Sequence, residues 1–337
     1  MMVADNASRG RETNQPITLR TIEAVSVVVA MRNEASSIVT LISDLKRQRL
    51  LPSEVILVDG GSTDATLAIA NAAIGDDPRF HIIELEEATP GKGRNVGILE
   101  AKSEWIALTD AGVSLSESWL HALVDSAEQD DSHQVIYGSI EMRSDSIKQL
   151  VIANIVDPGN HTYTCQHEDI IHGPVKSMLL AKKVWESVGG FPDFRAGEDL
   201  IFTERIFKAG FKAGKSKDAI VIWTPPANFG QLFSRTREFS RVNARAGLQR
   251  GWRMRVFWRY IIATTITIFA LAKFRPALIF VPVAMILRSR RRISPVLVKG
   301  EFSIFDKLSL LGNAFISLLV CDFATFVGWM DSFGNVE

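Results

Sequence analysis

Three apolar runs in this chain stop abruptly on polar residues. VSVVVAM (25–31) gives way to Arg32, Asn33 and Glu34, EVILVDGG (54–61) reaches Asp59, and WIALTDAG (105–112) reaches Asp110. Each run is too continuously apolar to have a wet face, which marks strands covered on both sides in a largely parallel sheet. Stretches of helical period separate them: EASSIVTLISDLKRQ (34–48), TDATLAIANAAIG closed by Gly75, and GRNVGILEAKS, with FHIIEL (80–85) as a further strand. The alternation predicts an α/β domain from about Val25 to Trp223. In open α/β sheets the crossover loops leave a crevice at the carboxyl ends of the strands, so the polar residues ending these runs are expected to converge there. Each acid could instead cap a helix or form a turn. That alternative is stronger for Asp64 in GSTDAT than for Asp59 and Asp110, which are followed by small residues that leave a ligand room.

Charge divides the chain. The formal net charge over 337 residues is zero, which speaks against a strongly basic nucleic-acid binder and leaves nucleic acid off the list of expected partners. Residues 231–337, however, hold 16 Lys and Arg against 6 Asp and Glu, so this part carries +10 and the preceding residues −10. The two cysteines, Cys165 and Cys321, are far apart and suggest no disulfide framework. The first 22 residues are polar, mixed in charge and without an apolar core, and read as a loose tail.

The set VVVAMRNEASSI, VILVDGGSTDAT, GKGRNVGI, IALTDAG and GGFPDFRAGEDLIFTERIFKAG, in this order, resembles the family 2 inverting glycosyltransferases with the GT-A fold, of the membrane-associated bacterial type. The similarity covers roughly residues 24–225. It implies an α/β fold of the Rossmann-like nucleotide-diphospho-sugar transferase kind, and a pocket for a nucleotide base and ribose built from Arg32, Asn33, Glu34 and Asp59. It places Lys92 and Arg94 near the nucleotide diphosphate, a ligand that suits cations. Asp110 matches the first acid of the family's D-x-D motif, but Gly112 replaces the second. A divalent cation, Mg²⁺ or Mn²⁺, would therefore be held by Asp110 together with diphosphate oxygens and waters. In GGFPDFRAGEDL (189–200) the resemblance makes Asp199 the base that deprotonates the acceptor hydroxyl, with Glu198 lining the acceptor side. An ordinary acidic helix start is the structural alternative for that pair. Gln231 and Arg235 match part of a Q-x-x-R-W pattern near the diphosphate; the following Trp is missing. DPGNHTYTCQHEDIIHG (157–173), with His161, Cys165, His167 and His172, reads as a loop over the acceptor pocket rather than a zinc site. Trp185 and Phe191 read as core.

The resulting organisation is a tail (1–22), a GT-A domain (23–228), a basic interfacial helix region (229–255) and membrane-associated helices (256–331). The apolar runs 260–272, 277–287 and 308–321 each fall short of the roughly 20 helical residues needed to cross about 30 Å of hydrocarbon. Arg-rich flanks with Trp252, Trp258 and Tyr260 nevertheless look like an interfacial belt with a positive-inside bias, which would keep the domain on the cytoplasmic face of the inner membrane. If 260–272 crosses outward and 277–287 returns, KFRP makes the outer turn; an interfacial or re-entrant hairpin is the alternative. The expected partners are a nucleotide-diphosphate sugar, a lipid-linked or glycan acceptor, and the membrane, as in polysaccharide biosynthesis. A nucleotidyltransferase remains open, although AMRNEAS is not the Gly-rich basic loop expected of one. A decayed binding module remains open through Gly112.

Overall fold

A computed structural model of the chain describes residues 20–156, 163–164, 171–172, 174–194, 197–245, 247–248, 250–299 and 302–333. Strands β1 (Val25–Met31), β2 (Glu54–Asp59), β3 (Phe80–Glu84) and β4 (Trp105–Asp110) alternate with helices α1 (Ile38–Lys46), α2 (Thr66–Ile74) and α3 (Pro90–Glu100). They are followed by β5 (Val113–Leu115), α4 (Trp119–Glu128), β6 (Val135–Met142), α5 (Ile147–Val156), and the short pair β7 (Tyr163–Thr164) and β8 (Ile171–His172). Then come β9 (Ser177–Ala181), α6 (Lys182–Ser187), α7 (Glu198–Lys208) and β10 (Ala213–Trp223). The main sheet has the order β3-β2-β1-β4-β9-β6-β10-β5. Its first four strands are parallel, while β9 runs antiparallel to both its neighbours and β5 closes the edge antiparallel to β10. The sheet is thus mixed where the sequence suggested a largely parallel one.

Alternation along the central strands explains their unbroken apolarity. Val25, Val27, Val29 and Met31 of β1 join one core with α1, α2 and α4, while Val28 joins a second core with Ile98 of α3 and with Phe202 and Ile206 of α7. A strand covered by helices on both faces has no position for a solvated residue. Register does the rest of the positioning. Met31 pairs with Asp59 and Ala30 with Asp110, so the ends of β1, β2 and β4 reach the same edge of the sheet. The GKGRNVG sequence lets α3 lie close on this sheet: a Cβ on Gly97 would stand 2.4 Å from Val28 Cγ1.

Residues 20–22 belong to the fold rather than to a loose tail. Arg20 donates to the carbonyl oxygens of Ala127 and His133 and lies over the Trp105 ring at 4.7 Å, and Ile22 is buried. The His- and Cys-bearing loop of 157–173 lies outside the described residues, apart from β7 and β8.

Beyond β10 the chain is helical: α8 (Phe229–Arg245), α9 (Arg250–Ala272), a 3₁₀ turn (Arg275–Ile279), α10 (Phe280–Lys299) and α11 (Ile304–Asp331). Helices α9, of 23 residues, and α11, of 28, are long and apolar enough to cross a membrane, longer than the apolar runs suggested, because each helix continues past its apolar stretch. Their surroundings differ. Ile262, Ile268, Phe269 and Leu271 of α9 are exposed, whereas Leu310, Ala314 and Leu318 of α11 pack on Val151 and Ile155 of α5 and on Ile293 and Val296 of α10. A capping box of Ser303 and Asp306 starts α11. Asp322, nearly fully buried, accepts hydrogen bonds from Arg259 of α9 and Arg288 of α10, tying three helices through one carboxylate.

Helix α11 also meets α8 closely. Ser240 Oγ donates to the Thr325 carbonyl at 2.7 Å, Arg237 pairs with Asp331 at 2.6 Å, and a Cβ on Gly328 would stand 2.1 Å from the Arg237 carbonyl oxygen. Gly328→Leu must push the two helices apart, at a cost of about 1–3 kcal/mol, the scale of overpacking. Thermal unfolding in detergent should show this loss, whereas Gly312→Ala on the same helix, where a Cβ meets open space, should not lower the midpoint, since Ala favours the helix over Gly.

Candidate active site

The loop after β1 is held by the loop after β2. Asn33 adopts a left-handed backbone (φ 57°), which Asn tolerates better than most residues. Its N–H donates to Ser62 Oγ, and its side-chain oxygen accepts from the Thr63 N–H at 2.8 Å. The Glu34 N–H donates to Thr66 Oγ1. Asp59 lies beneath this arrangement and is only 1% exposed. Its carboxylate accepts from the N–H groups of Gly61 and Ser62 and from the Ser62 hydroxyl, so it shapes the turn and presents no open face. Arg32 is half-buried and pairs with Glu87 at 3.7 Å. The Glu34 carboxyl is held above its ordinary range by burial; the Ser37 hydroxyl opposes this, and the nearby charges of Asp110 and Asp64 add to it.

Asp110, at the end of β4, meets Arg94 of α3: Nη2 donates to Oδ1 at 2.8 Å. The other terminal nitrogen of the same guanidinium donates to Glu198 Oε1, also at 2.8 Å. Arg94 and Glu198 are buried, while the Asp110 side chain stays 39% exposed and reachable from the crevice. Phe191 lies against the guanidinium at 5.4 Å and stacks on Phe202. Burial works against the charge on Arg94, but Asp110 and Glu198 more than offset it and hold its pKa above the ordinary arginine value. Burial raises the Glu198 carboxyl, Arg94 pulls it down, and the neighbouring Asp199 charge raises it again. Arg94 was expected near a diphosphate. Its terminal nitrogens donate to two carboxylates, and it acts as the clamp between them.

Asp199 follows Glu198 in the first turn of α7 and is half-buried. Its Oδ1 accepts from the Leu200 N–H at 2.8 Å. The clamp therefore brings the acid at the end of β4 and the acid pair that starts α7 into one cluster, across 88 positions of sequence from Asp110 to Glu198. Asn95, which follows Arg94, secures the approach of this segment: its Oδ1 accepts from Trp185 Nε1 and the Phe191 N–H, both at 2.9 Å, and its Nδ2 donates to the Phe191 carbonyl. Sequence reasoning passed over Asn95, although its place beside Arg94 in GRN was the available signal.

Lys92 is exposed on the first turn of α3 and lines a shallow recess of about 200 Å³ with Glu87, Thr89 and Asp193. On α8, Gln231 accepts from the Ala227 N–H and so closes the start of that helix. Arg235 brings its guanidinium 4.6 Å from the centre of the Trp223 ring, where burial pulls its pKa below the ordinary arginine value and the Asp110 charge opposes this. Trp223, which ends β10, was not singled out in the sequence.

No group of three or more His, Cys, Asp and Glu side chains suited to a metal occurs among the described residues. The acid missing at Gly112 nevertheless has a counterpart. A Cβ built on Gly112 points at Glu34, 3.6 Å from each carboxylate oxygen. Two hard oxygen donors from different loops thus face the crevice, a donor set that fits Mg²⁺ or Mn²⁺ completed by phosphate oxygens and water.

Residues 26–181 match the family model for glycosyl transferase family 2. Glycosyltransferase GlyG of Streptococcus pneumoniae is 30% identical over 115 residues, covering 34% of this chain and 38% of its own. Succinoglycan biosynthesis protein ExoA of Rhizobium meliloti is 26% identical over 241 residues, covering 66% of this chain and 72% of its own. The chain thus spans little more than a third of GlyG. The crystal structure of S. aureus TarS 1-349 in complex with UDP-GlcNAc superposes with a TM-score of 0.50 at 17% identity, covering 64% of this chain and 65% of that one, a likeness of fold.

The clamp makes a sharp prediction. Arg94→Ala leaves two carboxylates without their shared cation and should destabilise the protein by about 3–5 kcal/mol, the scale for breaking a buried pair from one side. Arg94→Lys should recover only part of this in a denaturant titration, because one ammonium cannot reproduce the forked geometry.

Proposed function

From a chain whose residues 26–181 match the family model for glycosyl transferase family 2, we propose an inverting glycosyltransferase. It moves a sugar from a nucleotide-diphosphate sugar to a membrane-borne acceptor, either a lipid-linked sugar or a glycan. The observation that carries this reading is the Arg94 clamp, which joins the donor-side acid Asp110 to the acid pair Glu198 and Asp199. An inverting displacement needs those two parts side by side: a grip on the leaving diphosphate and a base on the opposite face of the sugar.

The donor lies in the crevice at the ends of β1, β2 and β4, with Arg32, Asn33 and Glu34 around the nucleoside and Asp110 toward the diphosphate. Lys92, exposed at this edge, and Arg235 beside Trp223 suit its phosphates. A divalent cation held by Asp110 would supply charge neutralisation for the departing diphosphate. Asp199 stands at the start of α7 and accepts the proton of the acceptor hydroxyl as its oxygen attacks the anomeric carbon; the bond to the diphosphate breaks and the configuration inverts. Glu198, fixed by Arg94, orients this segment.

The C-terminal region, with two helices capable of spanning a membrane, brings the acceptor's environment to the domain. The arginines flanking α9 and the run Arg288 to Arg292 support a cytoplasmic catalytic domain, by the positive-inside tendency. A cysteine replacing exposed Lys183 should then stay unlabelled when intact cells are treated with a membrane-impermeant maleimide and become labelled after lysis. Labelling of intact cells would reverse the orientation.

Two substitutions test the chemistry in detergent-solubilised protein. Asp199→Asn should preserve nucleotide-sugar binding and reduce transfer by a factor of about 10² to 10⁴, the usual worth of a general base. Asp110→Asn should weaken donor binding itself. Unchanged turnover in Asp199→Asn removes it as the base.

A further inference from the structure

Position 112 is where the chain departs from the D-x-D pattern, and the fold places another acid against that position. Gly112 follows the end of β4 by two residues; Glu34 lies in the loop after β1, and β1 pairs directly with β4. The register Ala30 to Asp110 carries the two loops out over the same edge. A side chain leaving Gly112 would meet the Glu34 carboxylate at once, with Oε1 and Oε2 both 3.6 Å from its first carbon. Glu34 is fixed at that spot. Its backbone N–H is held by Thr66 Oγ1 at 2.7 Å, and one carboxylate oxygen accepts from the Ser37 hydroxyl. Asp110 is fixed as well, through one oxygen held by Arg94, with its side chain still open to the crevice.

We infer that Glu34 supplies the oxygen ligand that residue 112 lacks, so that the divalent cation of this site is held between Glu34 and Asp110. The inference rests on the transferase reading above and assigns Glu34 to the metal rather than to the nucleoside. Mg²⁺ and Mn²⁺ accept two carboxylates together with diphosphate oxygens and waters, and their affinity follows the number of charged ligands. Exchanging the acid between positions 34 and 112 keeps that number constant. Gly112 does not occupy the left-handed region, so an L-residue fits its backbone, and the nearest atoms to its new carbon are those of residue 34.

The experiment measures Mn²⁺ binding, read from the electron paramagnetic resonance signal of free Mn²⁺, in the full-length protein in detergent with saturating UDP or GDP. Nucleotide binding without metal is measured in parallel by calorimetry. Glu34→Gln should weaken Mn²⁺ binding roughly tenfold or more, the range over which ligand charge tunes such sites. Glu34→Gln combined with Gly112→Asp should bring the affinity back to within about threefold of wild type, a difference under about 1 kcal/mol. Circular dichroism melts identify any variant that has failed to fold, in which case Glu34→Ala, which also removes the charged ligand, gives the same test. Unchanged Mn²⁺ affinity in Glu34→Gln overturns the inference, as does a double variant no better than the single one. If wild-type protein binds the nucleotide but not Mn²⁺, the inference falls and the transferase reading stands. If it binds neither UDP nor GDP under any condition, both fall.

Discussion

One buried guanidinium holds this site together. Arg94 is reached by two carboxylates that sequence separates widely, and each uses a different terminal nitrogen at 2.8 Å. The geometry suits arginine alone, since its planar fork can serve two acids at once and keeps its charge in any protein environment. Everything around it follows from delivering that fork to the right place. Gly97 lets α3 lie close on β1, Asn95 fastens the next segment to α3, and the Phe191–Phe202 stack walls off the other side. Burial of the ions is tolerable because the two acids sit in contact with the cation; without it the same interior would reject them.

Much of the α/β domain was legible because its signals are local. Continuous apolarity along VSVVVAM, EVILVD and WIALTD names buried strands, and their terminal acids name the edge where a ligand belongs. What sequence could not supply is pairing across distance. Asp110 and Glu198 read as two separate acids, Arg94 as a free cation and Asp59 as an open ligand; the packing of α3 and α7 on one face of the sheet turns the first three into a single cluster, and the turn after β2 closes over the fourth. The antiparallel insertion of β9 between β4 and β6 was hidden for the same reason, since a short apolar run carries no direction. The approach of Glu34 to Gly112 likewise depends on strand order, which apolar pattern leaves free.

The helical region shows how hydropathy and burial can point in different directions. Helix α9 exposes its apolar side chains, whereas α11, with the stronger apolar character of the two, fits against α5 and α8 over much of its length. In α9 apolarity suits contact with lipid, and in α11 much of it serves internal packing. The same composition carries out both tasks, and only the neighbours distinguish them.

The close crossing of α11 on α8 also has a meaning in time. Arg235 sits on α8, beside Trp223 and within the field of Asp110, and the opposite side of that helix rests on residues near Thr325 and Gly328. Translation releases α8 well before α11, with α9 and α10 emerging in between. The contacts that brace α8 from its far side are therefore the last of this set to be synthesised. A chain that ends ahead of Ile304 would leave α8, the helix that carries Arg235, without this brace.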